Sequence, residues 1–171
     1  MNNVMLDIET LGTDPGCPVI AIGAVKFDAD SVSKDTFYLP ITLQSNFDYG
    51  LKPSAATIEW WMGQETAAKT IFGGERFNLA VALQEFQKWF SVDSIWGNSA
   101  RFDCGILLAA YQAVGLEAPW RFWHEKCYRT VKGFAPHIEL VREGTHHNAL
   151  DDARSQAEHL IMLAKVLRIE L

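Results

Sequence analysis

The sequence is poor in cysteine. The three it has, Cys17, Cys104 and Cys127, are an odd number at no CxxC or CxxH spacing. That suggests neither a disulfide framework nor a zinc site, and buried thiols in a reducing cytosol are the expectation. Long apolar runs are missing too: "MNNVMLDIET" meets an acidic pair before one could form, and no later run reaches the ~18 residues of a membrane span. The expectation is a soluble, cytoplasmic protein without a membrane partner. Basic charge is also in deficit, with 15 Lys and Arg against 21 Asp and Glu, a net −6. This argues against a nucleic-acid partner unless the acidic groups gather around bound cations, which invert the local field. No repeat, charge block or low-complexity linker interrupts the chain. Its 171 residues, 49% hydrophobic, suffice for one well-buried core and are too few for two comfortable domains, so a single domain over residues 1–171 is expected.

What is present is a pattern of alternation followed by helical periodicity. In "NNVMLDIET" the period of two puts Val4, Leu6 and Ile8 on one face of a strand and Met5, Asp7 and Glu9 on the other. "PVIAIGAVKFD" and "DTFYLPIT" read as two further strands, giving an antiparallel meander. "ATIEWWMGQETAAKT" and "FNLAVALQEFQKWF" read as helices, the second with Leu79, Leu83, Phe86 and Phe90 at spacings of three and four. The short strand "SIWG" comes next, then a helix over "ARFDCGILLAAYQAVG" with Gly115 as its C-cap. Between Pro119 and Gly144 the pattern is irregular, with a strand around "EKCYRTV". A long helix closes the chain from Ala149 to Ile169. A meander followed by alternating helix and strand predicts an α/β fold with a mixed sheet.

Acidic residues stand out within that frame. Asp7 and Glu9, two apart on a strand, point to the same side, close enough to share a cation. A bare DxE is more often the wet face of an edge strand. This strand is apolar on its other face and opens a mixed sheet, which argues for a central position where uncompensated charge is costly. Asp103 follows the strand "SIWG" near the start of a helix, and Asp151 and Asp152 lie in the first turn of the last helix. Each could merely complement a helix dipole. Their conjunction argues otherwise, because sites in α/β sheets assemble at strand ends and helix starts.

The three stretches "LDIET", "NSARFD" and "HNALDDA" resemble, in order, the exonuclease motifs of the DEDDh 3′-to-5′ exonucleases, which have an RNase H-like fold. "WGNSARFD", "PWRFWHE" and "YRTV" further resemble small phage and prophage members of the exonuclease VIII-like group. The resemblance spans nearly the whole chain and implies an RNase H-like mixed sheet, an antiparallel three-strand meander plus parallel strands, flanked by helices. It implies hydrolysis of RNA or DNA from a free 3′ end, single-stranded or overhanging, with release of nucleoside 5′-monophosphates. Asp7, Glu9 and Asp152 would hold two Mg²⁺ or Mn²⁺ ions, Asp103 would contribute directly or through water, and His147 would be the general base. Two hard cations ~3.5–4 Å apart need oxygen ligands, and a histidine titrates near neutrality, so the residue types suit those tasks. Thr10, Leu11 and Gly12 resemble the family loop that meets the 3′-terminal nucleotide, with Gly12 allowing close backbone approach. Asn98, Phe102, Arg101 and Arg129, in or near the motifs, are further substrate-binding candidates. Members of the family are often homodimers.

Other features read more plainly. Trp60, Trp61, Trp120, Phe122 and Trp123 could stack on bases but are more often core. His124 and His137 lack a partner at ligand spacing. Arg121, Lys132 and Arg142 are more often solvated charges than phosphate contacts. An RNase H-like endonuclease would share the carboxylates without needing "HxAxxDA", and a non-catalytic binding module would show a lost motif residue, which this chain does not.

The adjacent pairs in "THHNALDD" pose a question of register, since His146 to Asp151 and His147 to Asp152 are both five apart. On the last helix Leu150, Ala153, Ala157, Leu160, Ile161, Ala164 and Leu167 form the core stripe. Asp152 falls on its flank, beside Ala149, Gln156 and Leu163, and Asp151 almost opposite its centre. Asp152 is therefore the expected ligand and Asp151 a solvated acid at the helix start. The family pattern of alanines agrees with the register His147, Ala149, Asp152, Ala153, with His147 on a loop and His146 without a task.

Overall fold

A computed structural model describes residues 1–171. The first strand, β1 (Asn3–Thr10), is central in a five-stranded mixed sheet. On one side it pairs antiparallel with β2 (Val19–Phe27), which pairs antiparallel with β3 (Val32–Pro40). On the other it pairs parallel with β4 (Ser94–Gly97), and β4 pairs parallel with β5 (Glu125–Cys127). The helices are α1 (Leu43–Asp48), α2 (Ala55–Met62), α3 (Thr66–Lys69), α4 (Leu79–Trp89), α5 (Ala100–Val114), α6 (Tyr128–Phe134) and α7 (Ala149–Leu167).

Both faces of β1 are covered, as the alternation requires. Val4, Leu6 and Ile8 pack with residues of α4 and α5, among them Leu79, Leu83, Ile106 and Leu107. Met5 points the other way, against Ala153, Ala157 and Leu160 of α7. No helix is long and apolar enough to cross a membrane.

Three local expectations change. The helix expected over residues 56–70 is broken at Gly63, and Glu65 is extended (φ −64, ψ 157) before α3 begins. The strand expected around "EKCYRTV" ends at Cys127, paired with the last residue of β4, Gly97. Beyond it Tyr128 is buried, its hydroxyl 2.6 Å from Nδ1 of His159 on α7, so a tertiary anchor turns the β-prone run into α6. The short α1 was not legible from periodicity. It is secured by the buried amide of Asn46, whose Oδ1 accepts from the Val19 N–H (2.9 Å) and whose Nδ2 donates to the Val19 carbonyl (3.0 Å).

One close approach sets the geometry of everything that follows. Gly23 of β2 is the register partner of Asp7, and a Cβ there would lie 2.2 Å from the Ala149 carbonyl carbon and 2.3 Å from the Leu150 nitrogen. The start of α7 thus rests directly on the sheet beside Asp7. Gly23→Ala should lower stability by about 1–3 kcal/mol, the usual cost of forcing a methyl into a filled space. Thermal melting checks this, and an unchanged melting temperature would mean that α7 can lift without cost.

Candidate active site

β4 ends at Gly97, opposite Leu6, so β1 runs on past its parallel neighbour carrying Asp7 and Glu9. The chain leaving β4 supplies Asn98 and Ser99 and then Asp103, in the first turn of α5. α7 adds Asp152 from the other face of the sheet, because Gly23 lets its first turn approach. The result is a cavity of about 530 Å³ at the C-terminal ends of the parallel strands, where α/β folds place their sites.

Oxygen atoms of Asp7, Glu9 and Asp152 all lie within 4.8 Å of one another. Asp103 is buried beside them but outside that group, with its Oδ2 accepting the Ser99 N–H at 3.1 Å. Asp7 Oδ1 accepts from Nε2 of Gln156 at 2.8 Å. Gln156 lies one helical turn after Asp152, and its buried Oε1 has no donor. Hard oxygen donors with excess negative charge, next to a buried acceptor awaiting a proton donor such as a water, suit Mg²⁺ or Mn²⁺ and do not suit a soft metal.

The electrostatics agree. Burial, then repulsion from Asp103, Glu9 and Asp152, holds the Asp7 carboxyl well above its ordinary range. Burial and then the charges of Asp152 and Asp103 push Glu9 up to about 8. Burial also raises Asp103 to about 7, against backbone N–H donors such as that of Ser99. A carboxyl raised on folding contributes stability below its unfolded pKa, and this is lost as pH rises through the folded value. The metal-free protein should therefore lose thermal stability between the ordinary 4.5 of a glutamate and about 8 for Glu9, and saturating Mg²⁺ should flatten the decline. Differential scanning fluorimetry across that range tests this; a flat profile without metal would mean the carboxylates do not repel.

His147 takes a left-handed backbone (φ 63), unusual for a residue with a side chain. The turn lets its N–H donate to Asp152 Oδ2 at 2.9 Å. Its ring packs edge-on to Trp60 (4.8 Å between centroids) and stacks on His146 (3.8 Å). Burial, and then the neighbouring His146, lower its pKa, favouring the neutral imidazole. Asn148 caps α7, with Oδ1 accepting from the Leu150 and Asp151 N–H groups. The loop before α7 is fastened rather than free: the Thr145 N–H donates to Asp151 Oδ2 (2.8 Å) and the Glu143 N–H to Ser155 Oγ (3.1 Å). Asp151 is thus half-buried and holds the loop, not simply a solvated acid.

Asp7, Glu9, Thr10, Gly12, Asn98, Phe102, Asp103, Arg129, His147 and Asp152 all line the one cavity, whereas Leu11 and Arg101 do not. Leu11 is buried in the cluster containing Trp61 and Ile71, and Arg101 is exposed on α5. Gly12 is demanded from inside the protein, since a Cβ there would meet Cys17 Cβ at 2.4 Å. Arg129 Nε donates to the Asn98 carbonyl at 3.2 Å. Of the aromatics, Trp60 and Trp61 line the cavity. Trp61 is buried, with Nε1 donating to the Thr10 carbonyl at 2.9 Å, Trp120 is core, and Phe122 and Trp123 are exposed outside the cavity. Arg142, read from the sequence as a solvated charge, lines the cavity as well, and so does Gln156, to which the sequence reading gave no role in the site. The helical spacing of Gln156 from Asp152 could have pointed to it.

This sheet order with its carboxylate cluster defines the nuclease class with the DEDDh version of the RNase H-like fold. The nuclease domain of 3′hExo, a DEDDh family member solved with rAMP, superposes with a TM-score of 0.60 at 14% identity, over 96% of this chain and 92% of that one. Exonuclease X, solved with 5′ overhanging duplex DNA, gives 0.60 at 14% over 96% and 92%. A full-length 3′-exonuclease gives 0.61 at 15% over 99% and 83%. Among curated proteins no sequence matches. Residues 2–163 match the model of the Rv2179c-like 3′-5′ exoribonuclease domain, and the chain belongs to that family of 3′-to-5′ exonucleases.

Proposed function

We propose that the protein removes nucleoside 5′-monophosphates stepwise from the 3′ end of RNA or DNA, single-stranded or overhanging, with two Mg²⁺ or Mn²⁺ ions held by Asp7, Glu9 and Asp152. The observation that carries this reading is the convergence of three oxygen ligands within 4.8 Å at the floor of a cavity that His147 also lines. The bound ions would supply Lewis-acid stabilisation of the attacking and leaving oxygens. Asp103 completes the negative field, directly or through water. His147, kept neutral at physiological pH and steered by its N–H bond to Asp152, takes the proton of the attacking water. Thr10, Gly12, Asn98, Phe102 and Arg129 line the path of the terminal nucleotide, with Arg129 offering its charge to a phosphate. Both polymers are met on this fold, since Exonuclease X was solved in complex with 5′ overhanging duplex DNA and the structure of another 3′-exonuclease concerns 3′-end specific recognition of a histone mRNA stem-loop.

Matched end-labelled RNA and DNA oligonucleotides test the proposal. Mg²⁺ or Mn²⁺ should support a ladder shortening from the 3′ end, EDTA should abolish it, a blocked 3′ end should slow it strongly, and a circular strand should survive. Undiminished cleavage in chelator would refute the metal mechanism, and cutting of the circle would make the protein an endonuclease.

A further inference from the structure

Asp152 has both oxygens engaged within the protein. Oδ2 accepts the His147 N–H, and Oδ1 is held by Nη1 of Arg142 in the only ion pair made by any of the four motif carboxylates. A guanidinium therefore sits on one of the two oxygens through which Asp152 would hold a cation. Its backbone is pinned, because the next residue, Glu143, donates its N–H to Ser155 Oγ and Thr145 donates to Asp151 Oδ2. Its side chain is 43% exposed and lines the same cavity as Asn98 and Arg129. A fixed root with a solvent-accessible end is the arrangement of a group that can change partner. Arginine suits both partners, since its planar fork fits carboxylate and phosphate alike.

We propose that Arg142 is an exchange residue: it neutralises Asp152 while no metal is bound, and once Asp152 ligates a cation it turns its guanidinium to a phosphate of the nucleic acid in the same cavity. The inference rests on the exonuclease reading of the site and adds a positioning role for a residue outside the three motifs. It separates two effects that a merely structural arginine would keep together. Removing a competitor should tighten metal binding, while removing a phosphate contact should weaken substrate binding.

The test uses the full chain. Mn²⁺ binding is followed by the free-ion electron paramagnetic resonance signal, and KM and kcat are measured on a labelled oligonucleotide at saturating Mn²⁺. Arg142→Ala should bind Mn²⁺ several-fold more tightly than the wild type, yet show a KM about tenfold higher, the scale of one lost charge-assisted hydrogen bond. Its kcat should change much less. Its melting temperature should fall without metal and recover in excess Mn²⁺. Arg142→Lys, which keeps a cation but loses the fork, should leave Mn²⁺ affinity near the wild-type value and still raise KM, and it carries the test if the alanine variant fails to fold. Unchanged or weaker Mn²⁺ binding by Arg142→Ala, or an unchanged KM, overturns the exchange while leaving the exonuclease reading intact. A wild-type protein that takes up no Mn²⁺ overturns both.

Discussion

Asp7→Asn is expected to abolish 3′-end hydrolysis and to raise the melting temperature of the metal-free protein. The two effects share a cause. Asp7 is buried between Glu9, Asp103 and Asp152, and its carboxyl is held far above the ordinary range by that burial and those charges. Asparagine keeps the shape and can still accept the Gln156 amide at Oδ1. It removes the charge, and with it a ligand shared by the proposed ions. Several kcal/mol of Lewis-acid stabilisation, at about 1.36 kcal/mol per tenfold in rate, amounts to roughly three orders of magnitude or more. The stability gain should grow with pH, because repulsion is relieved at low pH by protonation and returns as the raised carboxyls ionise. Single-turnover assays and melting at acidic and alkaline pH, without metal, measure both. A fall in melting temperature like that of a broken core would mean that the charge of Asp7 has a structural task.

The second large effect concerns the doubled residues of "THHNALDD". His147→Ala and Asp152→Asn should each cost about 10²–10⁴ in rate, the range for losing a general base, with the proposed ligand Asp152 at least as severe. His146→Ala and Asp151→Asn should stay within a few-fold of wild type. His146 lines the cavity with its ring stacked on His147 but makes no hydrogen bond to the carboxylates, and an asparagine at 151 can still accept the Thr145 N–H that holds the loop. The four variants compared side by side under single-turnover conditions decide the matter. The reverse ranking would show that the other histidine and aspartate form the working pair.

Much of this was legible in the sequence because the relevant signals are local. Alternation in β1 placed Asp7 and Glu9 together, and the apolar stripe of α7 put Asp152 on its flank. What was illegible depends on contacts between distant segments. The turn of "YRTV" into helix is decided by a hydroxyl meeting His159, thirty-one residues away. The site roles of Arg142 and Gln156 depend on where a loop and a helix flank come to rest, which no periodicity reports. Arg101 looked better placed than Arg142 because it lies inside a motif, yet α5 turns it outward.

The bond from Gln156 to Asp7 joins residues 149 apart in the chain. One consequence concerns synthesis. Until α7 has emerged from the ribosome and docked on Gly23, Asp7 and Glu9 have neither Asp152 nor Gln156 beside them, and such long-range closure comes late in folding. Asp7 and Glu9 are thus made early on a strand that gains Asp152 and Gln156 as neighbours only when α7 packs on the sheet, so the acidic cluster is a property of the closed tertiary fold and not of β1 alone.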